Sequence, residues 1–358
     1  MSVSLQRSAF FEAIQRHEPS SLAVIENASG ASFSYQTLLQ SVARAKEQLL
    51  RKTGRTDETI SGERVAFLVE NGFDYVVTLL AVLACNAIAV PLAPSFPAPE
   101  LRYILDLSEA LVLVSSTRHA AKASEVLSEG LARTPLYHQL DGTTRQHEEA
   151  TERQVALCDL ASDGTTTGGM MLFTSGTTAR PKGVVLSLAN LSAQASSLLE
   201  AWRYSPSDRL LHVLPLHHIH GTVNAILAPL LAGSTVEFMF PFNANAVWVR
   251  LAAPFLRSAA GVNGHAAEMV QSAGGNPDDV DGSPITFLTA VPTIWMRLLR
   301  AHGSLPPAMQ KAGRVAVSPT HMRLNISGSA ALPKPIRDGW TALSSRHQSR
   351  LHGVSPAR

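Results

Sequence analysis

Met171-Leu172-Phe173-Thr174-Ser175-Gly176-Thr177-Thr178-Ala179-Arg180-Pro181-Lys182-Gly183 says more about this chain than any other stretch. It opens in an apolar run, residues 170–173, that reads as a buried strand. The run gives way to hydroxyls, glycines and two cations, Arg180 and Lys182. Backbone N–H groups, side-chain donors and positive charge meet in one loop, which suits a polyphosphate. The common P-loop pattern is not met. There, Gly-Lys and then Ser or Thr follow the first glycine at fixed offsets. Here Pro181, Lys182 and Gly183 stand at those offsets from Gly176.

Working outward, the segments on either side alternate between apolar strands and helices. Residues 22–27 and 31–35 flank Ala28-Ser29-Gly30, a hairpin signal. Ser34 is placed to cap a helix with Leu38, Leu39, Val42 and Leu49 on one face. Strands are expected at 64–69, 87–91, 110–115, 209–214, 285–291 and 323–327. Helices are expected near 73–85, 100–107, 187–202, 221–231 and 292–301. The stretch 92–99, with four prolines in nine residues when Pro91 is counted, must be a loop. This alternation implies parallel βαβ units and an α/β fold with parallel β-sheets flanked by helices. Residues 140–168 and 257–284 are polar or Gly-rich and read as surface excursions.

Composition narrows the class. At 358 residues with 45% apolar and 16% charged, the chain can bury a large core and is globular. A net charge of +2, with its cations scattered, argues against nucleic acid as a partner. Cys85 and Cys158 are too few and too far apart for a disulfide framework or a zinc site, and they fit a reducing compartment. No apolar run reaches the length of a membrane span. A cytoplasmic location is expected, with the mitochondrial matrix as the alternative.

Three further segments carry chemistry. Leu214-Pro215-Leu216-His217-His218-Ile219-His220-Gly221 places imidazoles after a strand, at the edge where open α/β sheets bind ligands. The spacing is poor for one metal ion, so substrate contact ranks above metal and no metal site is expected. Ala290-Val291-Pro292-Thr293 ends another strand. His321-Met322-Arg323-Leu324-Asn325-Ile326-Ser327-Gly328-Ser329-Ala330 follows a third strand with small residues, so that a flat ring can approach the backbone. Arg323 either faces solvent at the strand start or binds a carboxylate bidentately.

Thr174-Ser175-Gly176-Thr177-Thr178-x-x-Pro181-Lys182-Gly183 resembles the signature loop of the adenylate-forming enzymes: acyl-CoA synthetases, luciferases and peptide-synthetase adenylation domains. The departure is Ala179, where that family usually has Gly. The His segment and the segment around Arg323 are similar to those of malonyl-CoA synthetases. The resemblance runs from about residue 20 to 335. It implies that Thr174, Ser175, Gly176, Thr177, Thr178, Lys182 and Gly183 hold the ATP phosphates. Lys182 and His218 would serve catalysis, and His220 and Arg323 the substrate carboxylate. Pro292 and Thr293 would line the acyl pocket, and Ser327, Gly328, Ser329 and Ala330 would contact adenine. The implied reaction activates a carboxylic acid, malonate or a short dicarboxylate, with ATP and Mg²⁺ to an acyl-AMP, which CoA then takes up. A medium-chain or aryl acid is the rival substrate. A further alternative is an inactive homologue that binds nucleotide or a partner. After Pro335 the family's Thr-Glu pair and later lysine do not occur, and Asp338 is the last acidic residue. The expectation is therefore an incomplete AMP-binding domain over 1–335, an atypical polar tail over 336–358, no small C-terminal domain, and turnover by these residues alone near background.

Overall fold

The computed structural model describes residues 3–140, 155–158, 168–174, 180–260, 282–344 and 351–353. Most of both polar excursions expected from the sequence lies outside them. The chain divides into two compact units. One comprises Met1–Ala23, Phe33–Ala201 and Pro215–Gly233, the other Val24–Ser32, Trp202–Leu214 and Ser234–Arg358.

The first unit holds a sheet with the strand order Lys182–Ser187, Gly169–Thr174, Ile88–Pro91, Arg64–Leu68, Val112–Ser115, Leu136–Gln139. The strands run parallel except the first pair, which is an antiparallel hairpin. Alternation along the strands sorts their side chains. Ala66, Leu68 and Leu113 pack with Leu101, Ile104 and Leu105 of the Ala98–Ser108 helix. Val65 and Val114 instead line a small cavity together with Leu49, Ala81 and Val82 of the helices Tyr35–Thr53 and Phe73–Ala84. Ser34 caps the Tyr35–Thr53 helix by accepting from the Thr37 N–H, and Leu38, Leu39, Val42 and Leu49 are its buried face, as expected. In the Phe73–Ala84 helix all but Asp74 are buried, which explains an apolar run with no polar face.

The second unit is built on a parallel sheet with the order Leu351–Gly353, Leu324–Ser327, Phe287–Ala290, Arg209–His212, Thr235–Phe238, Leu22–Glu26, beside which lies Ser32–Ser34. Leu211 and Leu288 face a core filled by the helices Ala244–Ala260, Pro292–Gly303, Pro307–Ala316 and Lys334–Ser344. Three indoles lie at its centre. Trp340 sits 4.6 Å from Trp295 and 5.9 Å from Trp248, ring centre to ring centre.

Residues 336–344 of the stretch expected to be an atypical polar tail lie in the Lys334–Ser344 helix. The Lys334–Ser344 helix puts Trp340 wholly inside the core, and Leu351–Gly353 adds a parallel strand beside Leu324–Ser327. The apolar residues there are sparse but regularly spaced: Ile336, Trp340 and Leu343 recur at helical intervals. A stretch that is polar in composition is thus amphipathic in period.

Candidate functional site

The hairpin of the first unit fixes the two ends of the signature loop. Its register sets Lys182 directly opposite Thr174 and Gly183 opposite Phe173. Gly169 makes the close approach possible. A Cβ there would lie 2.1 Å from the Leu186 carbonyl oxygen, so any side chain would force the strands apart. Phe173 and Met171 pack on the core around the Ala98–Ser108 helix, while Thr174 and Lys182 are exposed. The structure therefore sets a threonine and a lysine opposite each other where the loop leaves the sheet. Ser175, Gly176, Thr177 and Thr178 lie outside the described residues. The strand Lys182–Ser187 was missed in the sequence; the helix expected at 187–202 follows it as Leu188–Trp202. Val184 and Val185 were the strand's signal.

The His segment belongs to the same unit. After the Arg209–His212 strand the chain turns at Pro215 and Leu216. The Leu216 carbonyl accepts from the Tyr75 hydroxyl at 2.8 Å and from the Thr222 hydroxyl at 2.7 Å. Tyr75 and Thr222 are themselves 3.1 Å apart, so a closed set of three polar groups holds the turn. His217 packs against Phe96, and its ring lies 4.1 Å from that of His218. His220 is buried and opens a π-helical stretch, His220–Leu227, a form that recurs at functional sites. Burial, reinforced by the neighbouring His218, lowers the His217 pKa to about 4. Burial lowers that of His220 to about 4 also. His218 stands open to solvent on one side and is shifted downward by partial desolvation. At neutral pH all three are uncharged imidazoles. Each can donate one N–H and accept at the other nitrogen. That equips His218 to orient a carboxylate or phosphate oxygen, with no full positive charge.

The second unit gathers the other segments at the C-terminal edge of its sheet. Ala290 pairs with Ser327, so the two chains leave the sheet side by side. From there Pro292 starts the Pro292–Gly303 helix and Thr293 is exposed in its first turn. Gly328 donates to the Ala290 carbonyl, Ser329 takes up a left-handed backbone with φ +65°, and Ser329 and Ala330 are exposed. The buried Ser327 hydroxyl has no hydrogen-bond partner among the described residues, a group that a ligand can satisfy.

Arg323, the residue expected to bind a substrate carboxylate, is engaged by a carboxylate of its own unit. It precedes the Leu324–Ser327 strand, at the opposite end from Ser327. Its Nη2 pairs with Asp208 at 2.6 Å, and its Nε bonds the same carboxylate at 3.1 Å. Further bonds go to the carbonyls of Trp202 and Arg203, and the guanidinium lies over the Phe287 ring at 4.5 Å. This is a bidentate pair, but its partner is Asp208 of the fold. The Ser205-Pro206-Ser207-Asp208 turn, in which Asp208 also bonds the Ser205 N–H, was the overlooked signal.

The chain belongs to the family of AMP-binding enzymes, whose profile matches residues 10–352. A CoA ligase of Gibberella moniliformis is 66% identical over 344 residues, covering 96% of this chain and 56% of that protein. The mitochondrial malonate–CoA ligase ACSF3 of Homo sapiens is 31% identical over 326 residues, with coverage of 90% and 51%. Among solved structures, ATP-bound MatB from Rhodopseudomonas palustris superposes with a TM-score of 0.69 at 25% identity, over 97% of this chain and 58% of the other. The chain spans about half the length of the curated relatives it matches.

Proposed function

We propose that this chain serves an acid–thiol ligase that activates a carboxylic acid with MgATP to an acyl-AMP and pyrophosphate, which CoA then converts to acyl-CoA and AMP. The observation that carries this reading is the hairpin that sets Lys182 opposite Thr174 across the signature loop. A lysine and a threonine set where the loop leaves the sheet suit the charge that develops on the leaving polyphosphate. His218, neutral and exposed after a rigid turn, is assigned to the oxygens of the carboxylate and α-phosphate. The exposed edge from Ser327 to Ala330 is assigned to adenine, Pro292 and Thr293 to the acyl group, and His220 to the acid. A reducing compartment fits, cytoplasm or mitochondrial matrix.

Malonate or a short dicarboxylate is the first substrate to test, because relatives at about 30% identity carry that name. A medium-chain or aryl monocarboxylate is the second reading. The engagement of Arg323 with Asp208 favours it, since the cation expected to read a second carboxylate is already paired. The test is calorimetric titration of MgATP into the purified chain and its Lys182→Ala variant. Loss of one charge-assisted bond should weaken binding by about 1.5–3 kcal/mol. Equal affinity in a folded variant rejects the phosphate role. Pyrophosphate release with malonate, hexanoate and benzoate, each with CoA, in a protein that joins this chain to the C-terminal half of an AMP-binding relative, then ranks the acids.

A further inference from the structure

We propose that Tyr103 is a positioning residue for Lys182, fastening the limb of chain that carries it to the Ala98–Ser108 helix. The inference rests on the reading of Lys182 as a phosphate ligand. Lys182 begins a strand at the edge of its sheet, and that strand is exposed from Lys182 to Val185. The hairpin bonds hold it on one side only. Tyr103 supplies the second hold. Its hydroxyl donates to the Pro181 carbonyl at 3.2 Å. Its ring lies under the Arg180 guanidinium, 5.7 Å from the ring centre, within the reach of a cation–π contact.

The bond to Pro181 matters because of peptide geometry. The Pro181 carbonyl and the Lys182 N–H share one planar unit and point in opposite directions across it. Fixing the oxygen therefore fixes where the Lys182 amide points and where its side chain starts. Tyr103 is itself well anchored. Leu101, Ile104 and Leu105 of its helix are buried, and Tyr103 packs on the same core as Met171 and Phe173 of the opposing strand. One helix thus grips both limbs that flank the loop, through apolar contacts on the entering side and a hydroxyl and ring on the leaving side. A lysine ammonium ends a long flexible stem, so the backbone it starts from decides which positions it can reach.

The experiment uses the whole chain with Tyr103→Phe, Tyr103→Leu and Lys182→Gln, and the double variant Tyr103→Phe/Lys182→Gln. Two readouts are taken. One is MgATP affinity by calorimetry. The other is the rate at which trypsin cuts the Lys182–Gly183 bond in the folded, nucleotide-free protein. Tyr103→Phe keeps the ring and loses the hydroxyl. It should weaken MgATP binding about three- to tenfold, the effect of losing one hydrogen bond, and speed the cut several-fold. Tyr103→Leu should do more on both counts. In the Lys182→Gln background the Tyr103→Phe effect on affinity should largely vanish, since Tyr103 acts through Lys182. Additive losses, or unchanged affinity and cutting in Tyr103→Phe while Lys182→Gln binds weakly, overturn the inference and leave the phosphate reading intact. Unchanged affinity in Lys182→Gln overturns both.

Discussion

Arg323 directs four hydrogen bonds and a ring contact into its own unit, and its partner Asp208 is almost wholly buried. Removing one member of such a pair leaves a carboxylate without its counter-charge in a poorly solvated place. Arg323→Leu should therefore destabilise the chain by roughly 2–4 kcal/mol, below the full cost for a buried pair because the guanidinium is partly open to water. Urea unfolding measures it. In a protein that joins this chain to the C-terminal half of a relative, relative activity on malonate and a monocarboxylate should stay unchanged among folded molecules. A selective loss of malonate use with no loss of stability would restore Arg323 to the substrate. The same logic marks Glu237, buried and bonded by both Arg250 and Asn27, as structural.

The Lys334–Ser344 helix shows how an element is secured by few contacts. Trp340 is fully buried against Trp295 and Trp248, whereas Lys334, Pro335, Arg337, Asp338 and Ala342 are exposed. An indole buries a large apolar area at one position. Trp340→Ala should cost about 3–5 kcal/mol, the range for deleting a large aromatic group from a core. The denaturant midpoint of the variant reads this. A change under about 0.5 kcal/mol would mean that the helix is an appendage. At the hairpin the controlling feature is a missing side chain. Gly169 admits the Leu186 carbonyl where any Cβ would collide.

Across the whole molecule, the histidines with resolved shifts move the same way. His17, His119, His217, His218, His220 and His302 are all lowered, in each case chiefly by burial. Their folded pKa values lie below the unfolded value, so between the two the unfolded chain binds more protons. This contribution to stability is complete above the unfolded value near 6.5 and is lost as pH falls through the folded value. For His217 and His220 the window runs from 6.5 down to about 4. Within it each neutral histidine contributes a slope of up to about 1.4 kcal/mol per pH unit. Urea midpoints should fall steeply from pH 7 to pH 5, and less so in His217→Asn/His220→Asn. A flat profile over that range would show these imidazoles to be well hydrated.

The alternation of apolar runs and helix signals was enough to read parallel α/β architecture, the capped Tyr35–Thr53 helix and the buried Phe73–Ala84 helix, because both periodicities are local properties of the chain. The phosphate role proposed for Thr174 to Gly183 likewise rests on local order, since its donors are neighbours in sequence. Partnership across the chain was not. Arg323 and Asp208 are 115 positions apart, and nothing local to either names the other. Tyr103 meets Pro181 across 78 positions, and Lys182 meets Thr174 only when the hairpin closes. The neutral state of His217 and His220 depends on how many atoms crowd each ring, and the Lys334–Ser344 helix on whether a core lies ready for Trp340. Local pattern selects the elements. Burial and pairing between distant residues decide which charges serve the fold and which remain available to a ligand.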